Sequence, residues 1–267
     1  MAYQTLSTAE WLLSKRTELD VKFLEFNWGN AHGVPLFDFE VSLLGRHIGR
    51  GTSFDQELAF EKAAAEALER LVCFENRIST EGVAAHPSPE AANRNAILEA
   101  LERHLFNEHL ATKQPFTLAK PAPATFGLKA AIENLGATVA WMKMRRVAGY
   151  ESSVCLIQKE DRRFLGLGFG EDAADVQTHA AIEALRNLAA YCEAPVEFVE
   201  QTKSNSDLWS CSSDFFAKHE DVFRGSANTI EQDHFKNLPI SIRHLESTTL
   251  PELPLSFVQA RVAGGAL

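Results

Sequence analysis

No window of the 267-residue chain approaches the roughly 18 to 20 uninterrupted apolar residues of a membrane helix. The N-terminal stretch MAYQTLSTAEWLL also lacks the basic-then-apolar layout of a secretory signal. These two absences give the expectation of a soluble, cytoplasmic protein with no membrane partner. Basic residues are in the minority, 26 Lys and Arg against 36 Asp and Glu, for a formal net charge of -10. Broad contact with a nucleic-acid backbone begins with accumulated Lys and Arg, so nucleic acid is not expected as a partner. A bound nucleotide stays compatible with the charge, because a few local cations or a metal ion can hold phosphates on an acidic protein. Cysteine is scarce: Cys73, Cys155, Cys192 and Cys211 are widely spaced, with no CxxC pair and no histidine at zinc-ligand spacing. That pattern argues against a structural zinc site and predicts reduced, partly buried thiols.

What is present is a chain that is 45% hydrophobic, enough to bury a sizeable core. A short amphipathic helix is expected from Ser7 to about Leu19, giving residues 1–20 as an N-terminal helical arm and 21–267 as a single domain. Strand patterns follow at Val21 to Phe26 and Leu36 to Leu44, then a turn segment, GRHIGRGTS. Phe54 to Arg77 has apolar residues at helical spacing, with Ser53 or Asp55 as cap. After the loop ISTEGVAAHP, Ser88 caps a second helix with Pro89 at its first position, running to about Leu110. The middle third reads as strands near Pro115 to Ala119, Ala137 to Val147, Ser153 to Gln158 and Arg163 to Phe169, with a helix near Leu128 to Leu135. Asp172 opens a third Ala-rich helix to about Cys192. The polar stretch from Gln201 to His234 carries no readable period, and Leu255 to Val262 reads as a final strand. Strand blocks alternating with long Ala/Glu-rich helices, without a regular βαβ rhythm, indicate an α+β fold with a layered sheet.

The most informative local pattern is a repeat. Glu66-Ala-Leu-Glu69-Arg70 recurs as Glu99-Ala-Leu-Glu102-Arg103, and Glu183-Ala-Leu-Arg186 is an imperfect third copy. Residues three and four apart share a helix face, so each full copy sets two carboxylates and a guanidinium on one side of its helix. A Glu followed four residues later by Arg is also a common solvated pair worth a few tenths of a kcal/mol. If the two helices lie side by side, however, Glu66, Glu69, Glu99 and Glu102 converge and repel unless neutralised. Mg²⁺ accepts one or two carboxylates together with phosphate oxygens and water, so such a set suits Mg·ATP better than zinc or a redox metal. Arg70 and Arg103 then orient the carboxylates or contact phosphate oxygens as bidentate donors.

The segment HGVPLFDFEVSLLGRHIGRGTSFDQELAFEKAAAEALER, followed by STEGVAAHPSPEAANRNAILEALER, resembles the YcaO family pattern. That pattern is a strand, a glycine-rich GKG-like turn, a helix ending in ExxER, a loop, and a second helix ending in ELxER. The later GLGFGEDAADVQTHAAIEAL resembles the family's third element, a glycine-containing strand leading into an acidic helix. The resemblance covers roughly Gly33 to Ala190 and implies a YcaO-like fold. It further implies that Glu66, Glu69, Glu99 and Glu102 hold Mg²⁺ ions bridging the phosphates of ATP, with Arg50, Ser53, Arg70, Arg103, Glu183 and Arg186 at the nucleotide. In active members ATP phosphorylates a peptide amide oxygen, and loss of phosphate completes cyclodehydration to an azoline or a related step.

The sequence departs from that pattern at several places. Arg50 stands for the lysine of the GKG-like run, and Ala63 for a small polar residue. Pro87 replaces a loop Asn, Ala91 an acidic residue, and Arg186 a glutamine. The chain stops at LPLSFVQARVAGGAL, where longer members continue into a proline-rich tail. Two expectations therefore stand together. One is an enzyme modifying a ribosomally made peptide with Mg·ATP. The other is a degenerate, non-catalytic YcaO-like subunit that binds a peptide or a partner enzyme. The resemblance makes a homodimer or a complex plausible for either.

Two glycine runs bear on anion binding. Gly49-Arg50-Gly51-Thr52-Ser53, directly before a long helix, presents exposed N–H groups and a helix dipole to an anion. Gly166-Leu-Gly168-Phe-Gly170 has no following lysine and reads as close strand packing. His86, His104, His109 and His179 form no HExxH or His-Asp-Ser set and are expected to be solvated or hydrogen-bonded. Phe106, Phe215 and Phe216 are expected to fill a core.

Overall fold

The computed structural model describes residues 7–27, 36–145, 147, 149–193, 195, 211–226, 238–250 and 253–263. In chain order these form α1 (Thr8–Ser14), β1 (Lys22–Asn27), β2 (Phe37–Leu43), β3 (His47–Ser53), α2 (Gln56–Asn76), β4 (Val83–His86), α3 (Pro89–Thr112) and β5 (Thr117–Ala119). After them come α4 (Phe126–Asn134), β6 (Thr138–Lys143), β7 (Glu151–Lys159), β8 (Arg162–Gly170), α5 (Ala173–Glu193), the short α6 (Ser213–Lys218) and α7 (Glu220–Phe223), β9 (Ile240–Leu245) and β10 (Ser256–Val262). The strands make three antiparallel sheets, ordered β1-β2-β3, β4-β10-β9 and β5-β6-β7-β8. The fold is a layered mixture of helix and sheet, the expected α+β class. Its described residues divide into two compact units. Those up to Leu101 and from Pro239 to Ala263 form one, and those from Glu102 to Leu238 form the other, the division falling inside α3.

In the first unit, α2 begins where the Asp55 carboxylate accepts the Leu58 N–H at 2.8 Å, and it ends at Arg77, whose φ of 54° is left-handed. Its face of Ala59, Ala63, Ala64, Ala67, Leu68 and Leu71 is buried against Phe39, Val41 and Leu43 of β2. The small side chains let β3 lie directly on the helix backbone. A Cβ on Gly49 would sit 2.2 Å from both Ala63 O and Ala67 N, and one on Gly51 would sit 2.1 Å from Ala59 O.

That close approach corrects the reading of GRHIGRGTS as a turn. His47–Ser53 is a strand, and the reversal is confined to Leu44–Arg46, with φ of 53° at Leu44 and 66° at Gly45. The glycines at 49 and 51 serve helix contact and not chain reversal, which is why they alternate with a period of two. Similarly, the loop ISTEGVAAHP contains the strand β4. An Ala-rich stretch has little strand propensity of its own, and it is fixed as strand by pairing with β10. The first helix is shorter than expected. Ser7 and Glu10 close a capping box, Leu12 is fully buried in the core shared with α2, and the Ala9 N–H donates to Glu61 Oε1 at 3.1 Å.

In the second unit, α5 starts where Asp172 Oδ1 accepts the N–H groups of Ala174 and Asp175, at 2.8 and 2.9 Å. The strand β8 lies on it as β3 lies on α2. A Cβ on Gly166 would meet Ala180 O at 2.0 Å, and one on Gly168 would meet Val176 O at 2.2 Å. The run GLGFG is thus close strand packing, as expected. Phe106, Phe116, Phe215, Phe216 and Phe223 form the aromatic core of this unit. Of the polar stretch from Gln201 to His234, only 211–226 lies among the described residues, and it supplies α6, α7 and three of those phenylalanines.

Candidate functional site

The helices α2 and α3 bring Glu66 and Glu99 of the first unit within electrostatic reach of Glu69. Each carboxylate of α2 has a distinct set of partners. Glu66 Oε1 accepts from Arg70 Nη2 at 2.9 Å, an i,i+4 ion pair, while Glu66 Oε2 accepts the backbone N–H of Arg50 at 2.9 Å. Glu69, nearly a turn further on, accepts the backbone N–H of Ala85 on β4. Burial first, then the charges of Glu99 and Glu66, hold the Glu69 carboxyl well above the ordinary carboxylate range, against the opposing pull of Arg70 and the Ala85 N–H. The same environment reaches Cys73: burial, then Glu69 and Glu99, push its thiol up to about 12.

A partly buried carboxyl facing two others takes up either a proton or a cation. Among the described residues no group of three or more His, Cys, Asp or Glu side chains is arranged to hold a metal ion. An all-protein metal cage is thereby not on offer. Mg²⁺ commonly uses only one or two carboxylates and completes its shell with phosphate oxygens and water, and the Glu69–Glu99 pair fits that demand. Glu66 fits less well, because both of its oxygens already accept hydrogen bonds.

Arg50 does not send its side chain to this cluster. On β3 the glycines at 49 and 51 face α2, so Arg50 between them faces the other side of the sheet, where the cross-strand ladder places Asp38 and Thr52. Arg50 Nε donates to Asp38 Oδ2 at 2.9 Å, Arg50 Nη2 donates to the same oxygen, and Thr52 Oγ1 donates to Asp38 Oδ1 at 2.8 Å. The Asp38 side chain is fully buried, and the guanidinium also lies over the Phe26 ring, 5.4 Å from its centroid. Only the Arg50 backbone N–H reaches the glutamates.

The remaining sequence-predicted positions are placed as follows. Ser53, buried at the end of β3, accepts the Asp55 N–H at 3.2 Å. Glu102 is buried on α3 and Arg103 follows it there; both belong to the second unit. Glu183 and Arg186 lie on α5, where Glu183 Oε2 accepts the Leu167 N–H at 2.7 Å. Of the positions that depart from the pattern, Ala63 packs its backbone against Gly49 and Gly51, and the Ala91 N–H donates to the capping Ser88 Oγ at 3.3 Å. The expected hydrogen-bonded histidines are found at His86, which accepts the Ser88 N–H at 3.0 Å, and at His109.

Sequence reasoning missed Asp38 and the Ala85 N–H. Asp38 carried a signal, an acidic residue in the alternating strand LFDFEVSLL on the face opposite Phe39 and Val41. The Ala85 contact had none, since its strand was not recognised.

No protein-family model matches the sequence, and no curated protein does either. Solved structures do. The chain is similar to the structure of YcaO from Methanopyrus kandleri bound with AMPPCP and Mg²⁺, with a TM-score of 0.70, 13% identity, and coverage of 97% of this chain and 90% of that one. The chain has a YcaO-like fold. A heterocyclase in complex with substrate and cofactor matches the YcaO-like fold over the whole chain, with a TM-score of 0.73 and 9% identity, and this chain spans 53% of its length. The E. coli microcin synthetase McbBCD complex matches with a TM-score of 0.58 and 8% identity, over 85% of this chain and 84% of that one. Among the described residues of this YcaO-like chain, no helix is long and apolar enough to cross a membrane.

Proposed function

We propose that the chain modifies a ribosomally made peptide by activating a backbone amide with Mg·ATP, the cation being held by Glu69 and Glu99. The observation that carries this reading is the meeting of Glu69 with Glu99 and Glu66 in a buried setting that disfavours three free charges. The likeness in fold to a YcaO structure bound with AMPPCP and Mg²⁺ supports it. When bound, Mg·ATP supplies the phosphoryl group that turns an amide oxygen into a leaving group for azoline formation or a related step. The chain's own residues would position and neutralise. Glu69 and Glu99 would hold the cation, Arg70 fixes Glu66, and the Ala85 N–H orients the Glu69 carboxyl along the edge of β4. Glu102, Arg103, Glu183 and Arg186 stay proposed members of the nucleotide site on the family pattern alone.

A second reading, a non-catalytic subunit that binds a peptide or a partner enzyme, is favoured by one observation. The Arg50 guanidinium is committed to Asp38 on the far face of its sheet, so the cation of the GKG-like run is turned away from the glutamates. Either form is proposed to work as a homodimer or beside a second biosynthetic protein. Calorimetric titration with ATP, with and without Mg²⁺, separates the two. Magnesium-dependent binding that disappears in Glu69→Gln supports the enzyme. Absence of binding in the native protein sinks it, and a pull-down from the native host should then recover a peptide or a biosynthetic enzyme.

A further inference from the structure

The two strand–helix contacts described above agree residue for residue. In the first unit the antiparallel strands β1, β2 and β3 lead into α2, and in the second β6, β7 and β8 lead into α5. Gly49 faces Ala63 O and Ala67 N, while Gly166 faces Ala180 O and Ala184 N. Gly51 faces Ala59 O and Ala63 N, while Gly168 faces Val176 O and Ala180 N. Between each pair of glycines one backbone N–H points outward from the last strand of its sheet. The Arg50 N–H donates to Glu66 Oε2 at 2.9 Å, and the Leu167 N–H donates to Glu183 Oε2 at 2.7 Å. All of these pairs are separated by one constant sequence interval. The match that stands out in the sequence, Glu66 with Glu99, has no such frame, because α3 follows the single strand β4.

We infer that the chain contains two copies of one module, three antiparallel strands followed by an alanine-faced helix, and that the glutamate at the shared position is a positioning residue. Glu66 and Glu183 each cap the open edge of the last strand and fix how the helix sits on it. An unpaired edge N–H facing a helix is costly to leave unsatisfied, and a carboxylate is a strong acceptor for it. In the first module the consequence is specific. With Glu66 fastened to β3 and to Arg70, Glu69 at the next turn is left to face β4 and Glu99. Arg186 occupies the position of Glu69 in the second module, so the copies share the cap and differ in the charge beside it. The assignment of Glu66 as a cap and not a metal ligand rests on the Mg·ATP reading, whereas the duplication does not.

The test is amide hydrogen exchange at Arg50 and Leu167 in the native protein and in Glu66→Ala, Glu66→Gln, Glu183→Ala and Glu183→Gln, joined to Mg·ATP titration of Glu66→Gln and Glu69→Gln. In the native protein both amides should be protected. Each Ala variant should speed exchange at its own amide by about tenfold, roughly one hydrogen bond, and leave the other unchanged. The Gln variants, which keep an acceptor oxygen, should restore protection. Glu66→Gln should bind Mg·ATP within about threefold of native while Glu69→Gln loses it. Exchange of either amide in the native protein at the rate of an open edge overturns the shared cap, whether or not the variants fold. Loss of Mg·ATP binding in Glu66→Gln with the Arg50 amide still protected overturns the positioning role. If the native protein binds no Mg·ATP, the nucleotide reading fails by itself, and the exchange data still decide the cap.

Discussion

Arg50 lays its guanidinium on the fully buried carboxylate of Asp38, across the ladder between β2 and β3, while Thr52 satisfies the other Asp38 oxygen. The two ends of this ion pair are unequal, because the Arg50 side chain keeps 26% of its surface in solvent and Asp38 keeps none. Removing the arginine strands a buried charge; removing the aspartate lets the arginine turn to water. Arg50→Ala should therefore cost about 3 kcal/mol and Asp38→Ala about 1–2 kcal/mol in urea unfolding. Equal losses, or a larger loss at Asp38, would contradict this arrangement.

The glycines of β3 make a second prediction. Gly49→Ala or Gly51→Ala drives a methyl group into the backbone of α2, which cannot yield as a side-chain tip can. The cost should be about 2–3 kcal/mol or more. Gly127, near the start of α4, has open space around it, so Gly127→Ala should be neutral or stabilising by up to about 1 kcal/mol. Thermal melts of the three variants check the contrast directly.

His109 predicts loss of stability in acid. Its Nε2 accepts the Arg145 N–H at 2.9 Å, so Nδ1 carries the proton and donates to Gln114 O at 2.9 Å. Burial foremost lowers its pKa, with the Arg145 charge adding to that against the Gln114 bond and Glu108. The unfolded chain then binds a proton more readily than the native one. Stability from this group is full above the unfolded value, about 6.5, and is lost as pH falls toward the lower native value. Unfolding free energy should drop between about pH 7.5 and 5.5, with a shallower slope in His109→Gln. An unchanged slope in that variant would rule the histidine out as the source.

Glu69 predicts the opposite sign. Its native pKa is raised, so its favourable contribution is present below the unfolded carboxyl value and is lost as pH rises through the native one. Glu69→Gln is neutral at every pH and should melt at a higher temperature than the native protein at pH 7 without metal, while losing Mg²⁺-dependent ATP binding. A gain in stability bought by loss of binding is what a functional carboxyl cluster produces. A variant less stable than native at pH 7 would mean that Glu69 is a structural hydrogen-bond acceptor only.

The long helices were legible because their caps and alanine faces are local: Asp55, Ser88 and Asp172 cap where the sequence places them. The convergence of Glu69 with Glu99 was also legible, as two copies of one helical motif. What was not legible depends on remote partners. Val83–His86 is a strand only because β10 pairs with it, and His47–Ser53 is a strand and not a turn because α2 is narrow where the glycines meet it. The pairing of Arg50 with Asp38 follows from that same error, since a residue in a turn has no fixed face, whereas a residue in a strand does.

The first unit is assembled from both ends of the described chain. Glu75 at the end of α2 accepts the N–H groups of Thr248 and Thr249, and Asn76 donates to Glu246 O, while among the described residues β4 pairs only with β10. During synthesis, the stretch that builds the second unit therefore emerges before the first unit can close. Until β10 arrives, β4 lacks its ladder and α2 lacks the cover of Leu245, Leu250 and Phe257. The edge that orients Glu69 is thus among the last parts of the molecule to form, and a nascent chain carrying every glutamate would still have no organised carboxylate pair to offer a cation.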